Sequence, residues 1–275
     1  RSVYLSRKRL GEELARLVHT SLDTWHRDKL KITRFGDDWR PFLRVVDVYE
    51  ALDPGCCITA LDDDGSLVGC AFYHPRGTHI GVGVVGVHPR AFGRGIARGM
   101  MEELIRIADG TPLRLVSSAM NLDSFSLYTR LGFVPRMTLQ AVMLDVPAGG
   151  LPGTATTLRT ATSADVPRLA ELEHRLNGVS KEHDYRFFIE NSEAGFRLGM
   201  IERPDGTLAG FLGASVTDGE CQLGPGVAED DVTMAQLIHG MLDEHLRGHH
   251  VIWLLPVTCS MLSLIHISEP TRRRG

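Results

Sequence analysis

The chain has 275 residues, 43% hydrophobic and 23% charged, with a mean hydropathy of −0.05. This globular composition excludes a disordered or collagen-like chain, and the length allows one large domain or two of ordinary size. No apolar run approaches the ~18 residues of a membrane span, and a net charge of −4 gives no argument for a nucleic-acid partner.

The five cysteines, Cys56, Cys57, Cys70, Cys221 and Cys259, are odd in number and form no Cys-x-x-Cys. They point to reduced thiols in the cytoplasm rather than to a disulfide framework. The first residue is Arg1, with no charged-then-apolar leader, so the start reads as a cut. At the other end, residues 262–272 resemble the codon-by-codon translation of a transposase-based sequencing adapter, and 262–275 are therefore set aside as a non-native tail. Without its three arginines and one glutamate the net charge becomes −6.

In chain order, Leu10, Leu14, Leu17 and Val18 recur at helical spacing, and Trp39, Phe42, Val46 and Tyr49 mark a second helix. Strands are expected near 56–61, 66–73 and 79–87, followed by a helix with Ile96, Met100, Leu104 and Ile107 on one stripe. Residues 113–117 read as a strand, 124–131 as a short helix and 133–144 as closing strand material. A Pro/Gly-rich linker over 147–155 leads to a second series: helices near 164–176 and 182–190, strands near 196–202, 207–213 and 221–224, a helix from Met234 to Leu242, and a strand over 250–255. The fold class is α/β (α+β), a mixed sheet flanked by helices. Asp64-Gly65 recurs as Asp205-Gly206 at an offset of 141 residues, each between apolar runs, which signals two hairpins and two copies of one domain. The expected division is a first domain over 1–146, a linker over 147–155 and a truncated second copy over 156–261.

The segment with the most chemistry is Val85-Gly-Val87-His-Pro89-Arg90-Ala-Phe-Gly93-Arg94-Gly95-Ile96-Ala97, between a glycine-rich strand and an amphipathic helix. Glycines at the mouth of a helix expose backbone N–H groups and the positive end of the helix dipole. Gly93 and Gly95 would let a pyrophosphate approach the backbone, and Arg90 and Arg94 add positive charge. Gly81-x-Gly83-x-x-Gly86 matches the dinucleotide fingerprint literally, but it continues into Val-His-Pro instead of turning into a helix, so a nicotinamide or flavin site is rejected.

Arg90-x-x-Gly93-x-Gly95, after a strand ending Val87-His88-Pro89, resembles the acetyl-CoA loop of the GNAT superfamily of N-acetyltransferases. Asn121, Tyr128 and Leu131-Gly132-Phe133 resemble its second signature, and the likeness covers residues 3–146. It implies an acetyltransferase that takes acetyl-CoA as cosubstrate and a primary amine, small molecule or peptide N-terminus, as acceptor, attacking directly in a ternary complex. Two parallel strands would splay around the pantetheine. Val85 and Val87 would bond it beside a bulge that stabilises the oxyanion, and Ile96 and Ala97 would meet the pyrophosphate from the first helical turn. Asn121 would hold the pantetheine and Tyr128 would protonate the departing thiolate. Tyr128 also reads as core and Asn121 as a helix cap. The general base is not legible, with His79 the candidate and a water chain the alternative. The same fold without turnover, as an acetyl-CoA-binding sensor or assembly module, is the rival function.

The second copy keeps the hairpin but runs into Glu229-Asp230-Asp231, carboxylates that would repel a pyrophosphate. Residues 1–150 carry +2 and residues 151–261 carry −8. The second copy therefore reads as degenerate, supporting the first domain or shaping its acceptor groove. His245, His249 and His250 lack the spacing of a zinc helix, so no metal is expected. Nothing in the sequence fixes the oligomeric state.

Overall fold

The computed structural model describes residues 7–153 and 156–259, so the adapter-like residues 262–272 lie outside it. The chain divides into two compact units between Val134 and Pro135.

The first unit opens with helices α1 (Arg7–Trp25) and α2 (Pro41–Leu52) and continues through strands β1 (Cys57–Leu61), β2 (Leu67–Pro75) and β3 (Ile80–Val87). Helix α3 (Ile96–Ala108), strand β4 (Leu113–Arg114) and helix α4 (Leu122–Arg130) follow. The sheet order is β1-β2-β3-β4, antiparallel up to β3 and parallel between β3 and β4. Alternation along β2 divides the core into two layers. Ala71 packs with Met100, Met101 and Leu104 of α3, whereas Cys70 and Phe72 pack with Leu14, Leu17 and Val18 of α1 and Val46 of α2.

The second unit contains β5 (Leu139–Asp145), β6 (Arg159–Thr160), α5 (Val166–Asn177), α6 (Glu182–Glu190), β7 (Phe196–Glu202) and β8 (Leu208–Ser215). It ends with β9 (Glu220–Ala228), α7 (Asp231–His245) and β10 (His250–Pro256). Its sheet order is β5-β10-β9-β8-β7-β6.

Two expectations need revision. Strand material after residue 133 does not close the first sheet: β5 pairs antiparallel with β10 from Leu139↔Pro256 to Asp145↔His250, burying Val142 in one cluster with Trp253. The units accordingly part at Val134/Pro135, ahead of the linker segment, whose described residues 147–153 lie within the second unit, where the Leu151 N–H donates to Asp243 of α7 at 3.0 Å. Strand β4 is also two residues long rather than five, because it pairs with β3 only at Ile80↔Leu113 and Gly81↔Arg114.

The internal repeat extends to irregularities of the sheet. Both hairpins slip register at positions 141 residues apart, between Ala60 and Leu61 and between Ile201 and Glu202. A second pair of slips sets Gly83 and Val84 of β3 against Phe72, and Gly224 and Pro225 of β9 against Gly213. Each is a β-bulge, which bends the strand and frees a backbone group from the ladder.

The entry to α5 carries a reciprocal cap. Asp165 accepts from the Thr162 N–H and hydroxyl, both at 2.8 Å, and from both terminal nitrogens of Arg159, at 3.1 and 2.5 Å. The Arg159 guanidinium, opposed by burial, holds the Asp165 carboxyl well below the usual range. A depressed folded-state pKa gives stability that is complete above the unfolded value of ~3.9 and is withdrawn as pH falls below it. Asp165→Ala is expected to cost about 1–2 kcal/mol in urea denaturation at neutral pH. The gap from wild type should narrow below pH ~4, and a pH-independent gap would assign the loss to packing alone.

Candidate active site

Between β3 and α3 the chain makes a short turn and then a glycine-flanked mouth. The His88 Nδ1 accepts from the Arg90 N–H at 3.2 Å and caps the turn Pro89–Ala91, which gives this histidine a structural job. Gly93 and Gly95 then take φ of 75° and 77°, the left-handed region that glycine adopts without a Cβ penalty. A Cβ on either would meet no atom within 4 Å, so the space above both is open. Helix α3 starts at Ile96 with no side-chain cap and no acidic residue in its first turn. The N–H groups of Ile96 and Ala97 therefore face outward at the positive end of the helix dipole.

Arg90 and Arg94 are not free cations. Arg94 makes two bonds to Asp62, at 3.0 and 2.9 Å, and Arg90 donates to the Ser66 hydroxyl, which in turn donates to Asp64 at 2.5 Å. The Arg94 guanidinium draws the Asp62 carboxyl down to about 2. The β1–β2 turn thus clamps the loop and offsets its side-chain charge, leaving the backbone N–H groups as the unneutralised positive element of the loop. Asp62 and Ser66 are absent from the sequence reading because these pairs join residues 32 and 24 positions apart.

The edge of β3 is open where it matters. Beyond Gly81, no strand among the described residues pairs with it on the β4 side. The His88 N–H donates to Val68 of β2, so strand alternation turns the backbone groups of Val87 and Val85 to the other edge. The Val87 N–H meets the Ser21 hydroxyl of α1 at 3.3 Å. The bulge at Gly83 and Val84 lies along this edge, slightly earlier than Val85 and Val87.

Asn121 is the N-cap of α4, its Oδ1 accepting from the Ser124 N–H at 3.1 Å. Leu131-Gly132-Phe133 ends the same helix: the Phe133 N–H bonds to the Tyr128 carbonyl, the Gly132 N–H bonds to the Thr129 carbonyl, and Gly132 sits at φ 90°. This is the glycine-terminated helix end that needs a residue without Cβ at that position. Tyr128 packs at 5.8 Å on Phe133, its hydroxyl bonds to no described residue, and burial raises its pKa.

His79 is buried just before β3, bonded through Nδ1 to the Thr78 hydroxyl at 3.1 Å. Four strand steps of ~3.3 Å separate it from the bulge, about 13 Å along the chain. The structure does not bring it to the loop or to the bulge.

Another histidine does reach the bulge. The His74 Nδ1 lies 2.6 Å from Asp53 Oδ2, and Arg76 bonds both carboxylate oxygens, at 2.9 and 3.0 Å. Burial opposes ionisation of Asp53, but the bonds from Arg76 and His74 prevail and keep its pKa below the ordinary value. An ionised Asp53 requires the proton on Nδ1 of a neutral His74, which leaves Nε2 as an acceptor. Tyr49 packs edge-on at 4.6 Å, and Nε2 lies 3.0 Å from the point a Gly83 Cβ would occupy. Asp53, His74 and Arg76 are dispersed in sequence, so no motif announces them.

The second unit builds the corresponding corner differently. Only Glu229 and Asp230 separate β9 from α7, and Asp230 caps that helix by accepting from the Thr233 N–H at 2.7 Å. Glu229 pairs with Arg175 and with Arg203, which stands 141 residues after Asp62. The hairpin-to-loop ion pair recurs with its charges exchanged, and carboxylates stand at the mouth of α7.

Residues 19–133 match the acetyltransferase (GNAT) family. A candidate acetyltransferase from Pyrococcus horikoshii superposes with a TM-score of 0.72 at 16% identity, over 96% of this chain and 85% of the other. The fold is that of the GNAT acyltransferases. A tandem GNAT protein from the clavulanic acid biosynthesis pathway gives a TM-score of 0.60 at 14% identity, over 95% of this chain and 90% of the other. A GCN5-related N-acetyltransferase from Sphaerobacter thermophilus gives 0.57 at 18% identity, over 89% and 82%. Among curated protein sequences nothing matches this chain. Within this GNAT fold, no described residues gather three or more His, Cys, Asp or Glu side chains into a metal-binding group. No helix among them is long and apolar enough to cross a membrane.

Proposed function

We propose that the first unit is an N-acetyltransferase that moves an acetyl group from acetyl-CoA to a primary amine, on a small molecule or a peptide N-terminus, by direct attack in a ternary complex. The observation that carries this reading is the open edge of β3 running into the uncapped mouth of α3. Gly93, Gly95, Ile96 and Ala97 would hold the pyrophosphate on their backbone, with Arg90 and Arg94 at the rim. Val85 and Val87 would bond the pantetheine as an added strand does. Asn121, held by its capping bond, would steady the same arm.

Direct attack suits the available side chains. Burial pushes the Cys57 and Cys70 thiols up to about 12 and raises Cys56 as well. None of these three supplies a thiolate near neutrality for a covalent acetyl intermediate. Tyr128, kept protonated by burial, would give its proton to the departing thiolate. The second unit is read as a copy that has lost the cradle, and cysteines that form no disulfide among the described residues suit work in the reducing cytoplasm.

Calorimetry with acetyl-CoA, followed by thiol release with amino acids, polyamines, aminated antibiotics and peptides, tests the reading. Saturable binding with amine-dependent release is expected. Binding without release from any amine would favour a sensor, and absence of binding would end the proposal.

A further inference from the structure

We propose that His74, oriented by Asp53, is the base that takes the proton from the attacking amine; this rests on the transferase reading above. The Nε2 lies against Gly83, one of the two residues of the β3 bulge, on the strand whose edge is open to the cosubstrate. Its side chain is 14% exposed, so packing holds the ring without fully sealing the side chain from solvent. Gly83 leaves the ring its place: a Cβ there would come within 3.0 Å of Nε2 and 3.1 Å of Tyr49 Cε2.

The groups facing the imidazole are few. Among the described residues, α2 brings Tyr49 and, just after its end, Asp53; from beyond the end of β2 comes Arg76, acting through Asp53; β3 brings Gly83 against Nε2, while Gly81 lies against the His74 Cβ. Asp53 holds the Nδ1 proton, so the lone pair is on the nitrogen directed at the bulge.

The proton balance closes with Tyr128. The neutral amine nitrogen forms a bond to the thioester carbon and passes one proton to His74 Nε2. The carbon–sulfur bond breaks, and the leaving sulfur takes the phenol proton of Tyr128. Imidazolium and phenolate then return to their resting states by proton exchange with water, and the products are the amide and the CoA thiol. Asp53 is a positioning residue that also stabilises the imidazolium.

The test uses the full chain, acetyl-CoA and whichever primary amine gives the fastest thiol release. In wild type, kcat at saturating amine is expected to fall at low pH, as it must for a step that needs an unprotonated base in the bound complex. His74→Gln should lower kcat about a hundred-fold, the low end of general-base contributions, leave the Kd for acetyl-CoA within two-fold and remove that limb. Asp53→Asn should move the limb to lower pH, since the imidazolium loses its counter-ion while Arg76 remains. A His74→Gln enzyme with wild-type kcat and an unchanged limb would overturn the assignment and leave the transferase reading standing. Wild-type protein that neither binds acetyl-CoA nor releases thiol would overturn both. If His74→Gln loses acetyl-CoA binding through misfolding, Asp53→Asn decides, and a limb that stays in place overturns the assignment.

Discussion

Gly95→Asp is expected to weaken acetyl-CoA binding by about a thousand-fold while leaving the fold intact. Position 95 lies at φ 77°, a conformation that Asp tolerates better than most residues, with open space where the side chain would go. The new carboxylate would occupy the mouth of α3. Two like charges ~4 Å apart at an effective dielectric of ~20 repel by about 4 kcal/mol. That is close to three factors of ten in Kd. The second unit carries a comparable carboxylate, since Asp230 caps α7 and accepts from the Thr233 N–H at its first turn. Calorimetry measures the Kd, a melting curve checks the fold, and Gly95→Ala separates backbone strain from charge. A Kd for Gly95→Asp within three-fold of wild type would remove the cradle from the site.

Tyr128→Phe should lower kcat by roughly 10²–10³-fold, within the range of general-acid contributions, with little change in the Kd for acetyl-CoA. The substitution deletes one oxygen and keeps the ring against Phe133, so a large packing loss is not built into the experiment. The phenol bonds to no described residue and burial raises its pKa, so the proton is present and uncommitted near neutrality. Steady-state thiol release gives kcat. An unchanged kcat would make Tyr128 a core residue and leave the departing sulfur to water.

Local chemistry was legible in the sequence and non-local partnership was not. Gly93 and Gly95 announce their role because only a residue without Cβ readily takes their backbone conformation, and Gly132 announces the end of α4 for the same reason. Asp64-Gly65 and Asp205-Gly206 mark both hairpins, each aspartate bonding its own turn through Ser66 or Thr207. The clamp of Arg94 on Asp62 and the dyad of His74 with Asp53 join residues 32 and 21 positions apart, and no periodicity encodes such distances. His79 stands out in the sequence as the histidine heading β3, but strand length puts it about 13 Å along the chain from the bulge. Alternating apolar residues identify β5 as a strand without naming its neighbour, and only the assembled sheet shows that neighbour to be β10.

The partnership of β5 with β10 also determines where the chain can be divided. A fragment ending at residue 146, the boundary the linker composition suggests, would carry seven strand residues whose ladder partners had all been removed. Such an orphaned strand presents unpaired N–H and C=O groups, a template for self-association. Dissection of the two halves belongs between Val134 and Pro135, so that the first unit is produced without an adhesive tail and β10 keeps β5 as its partner.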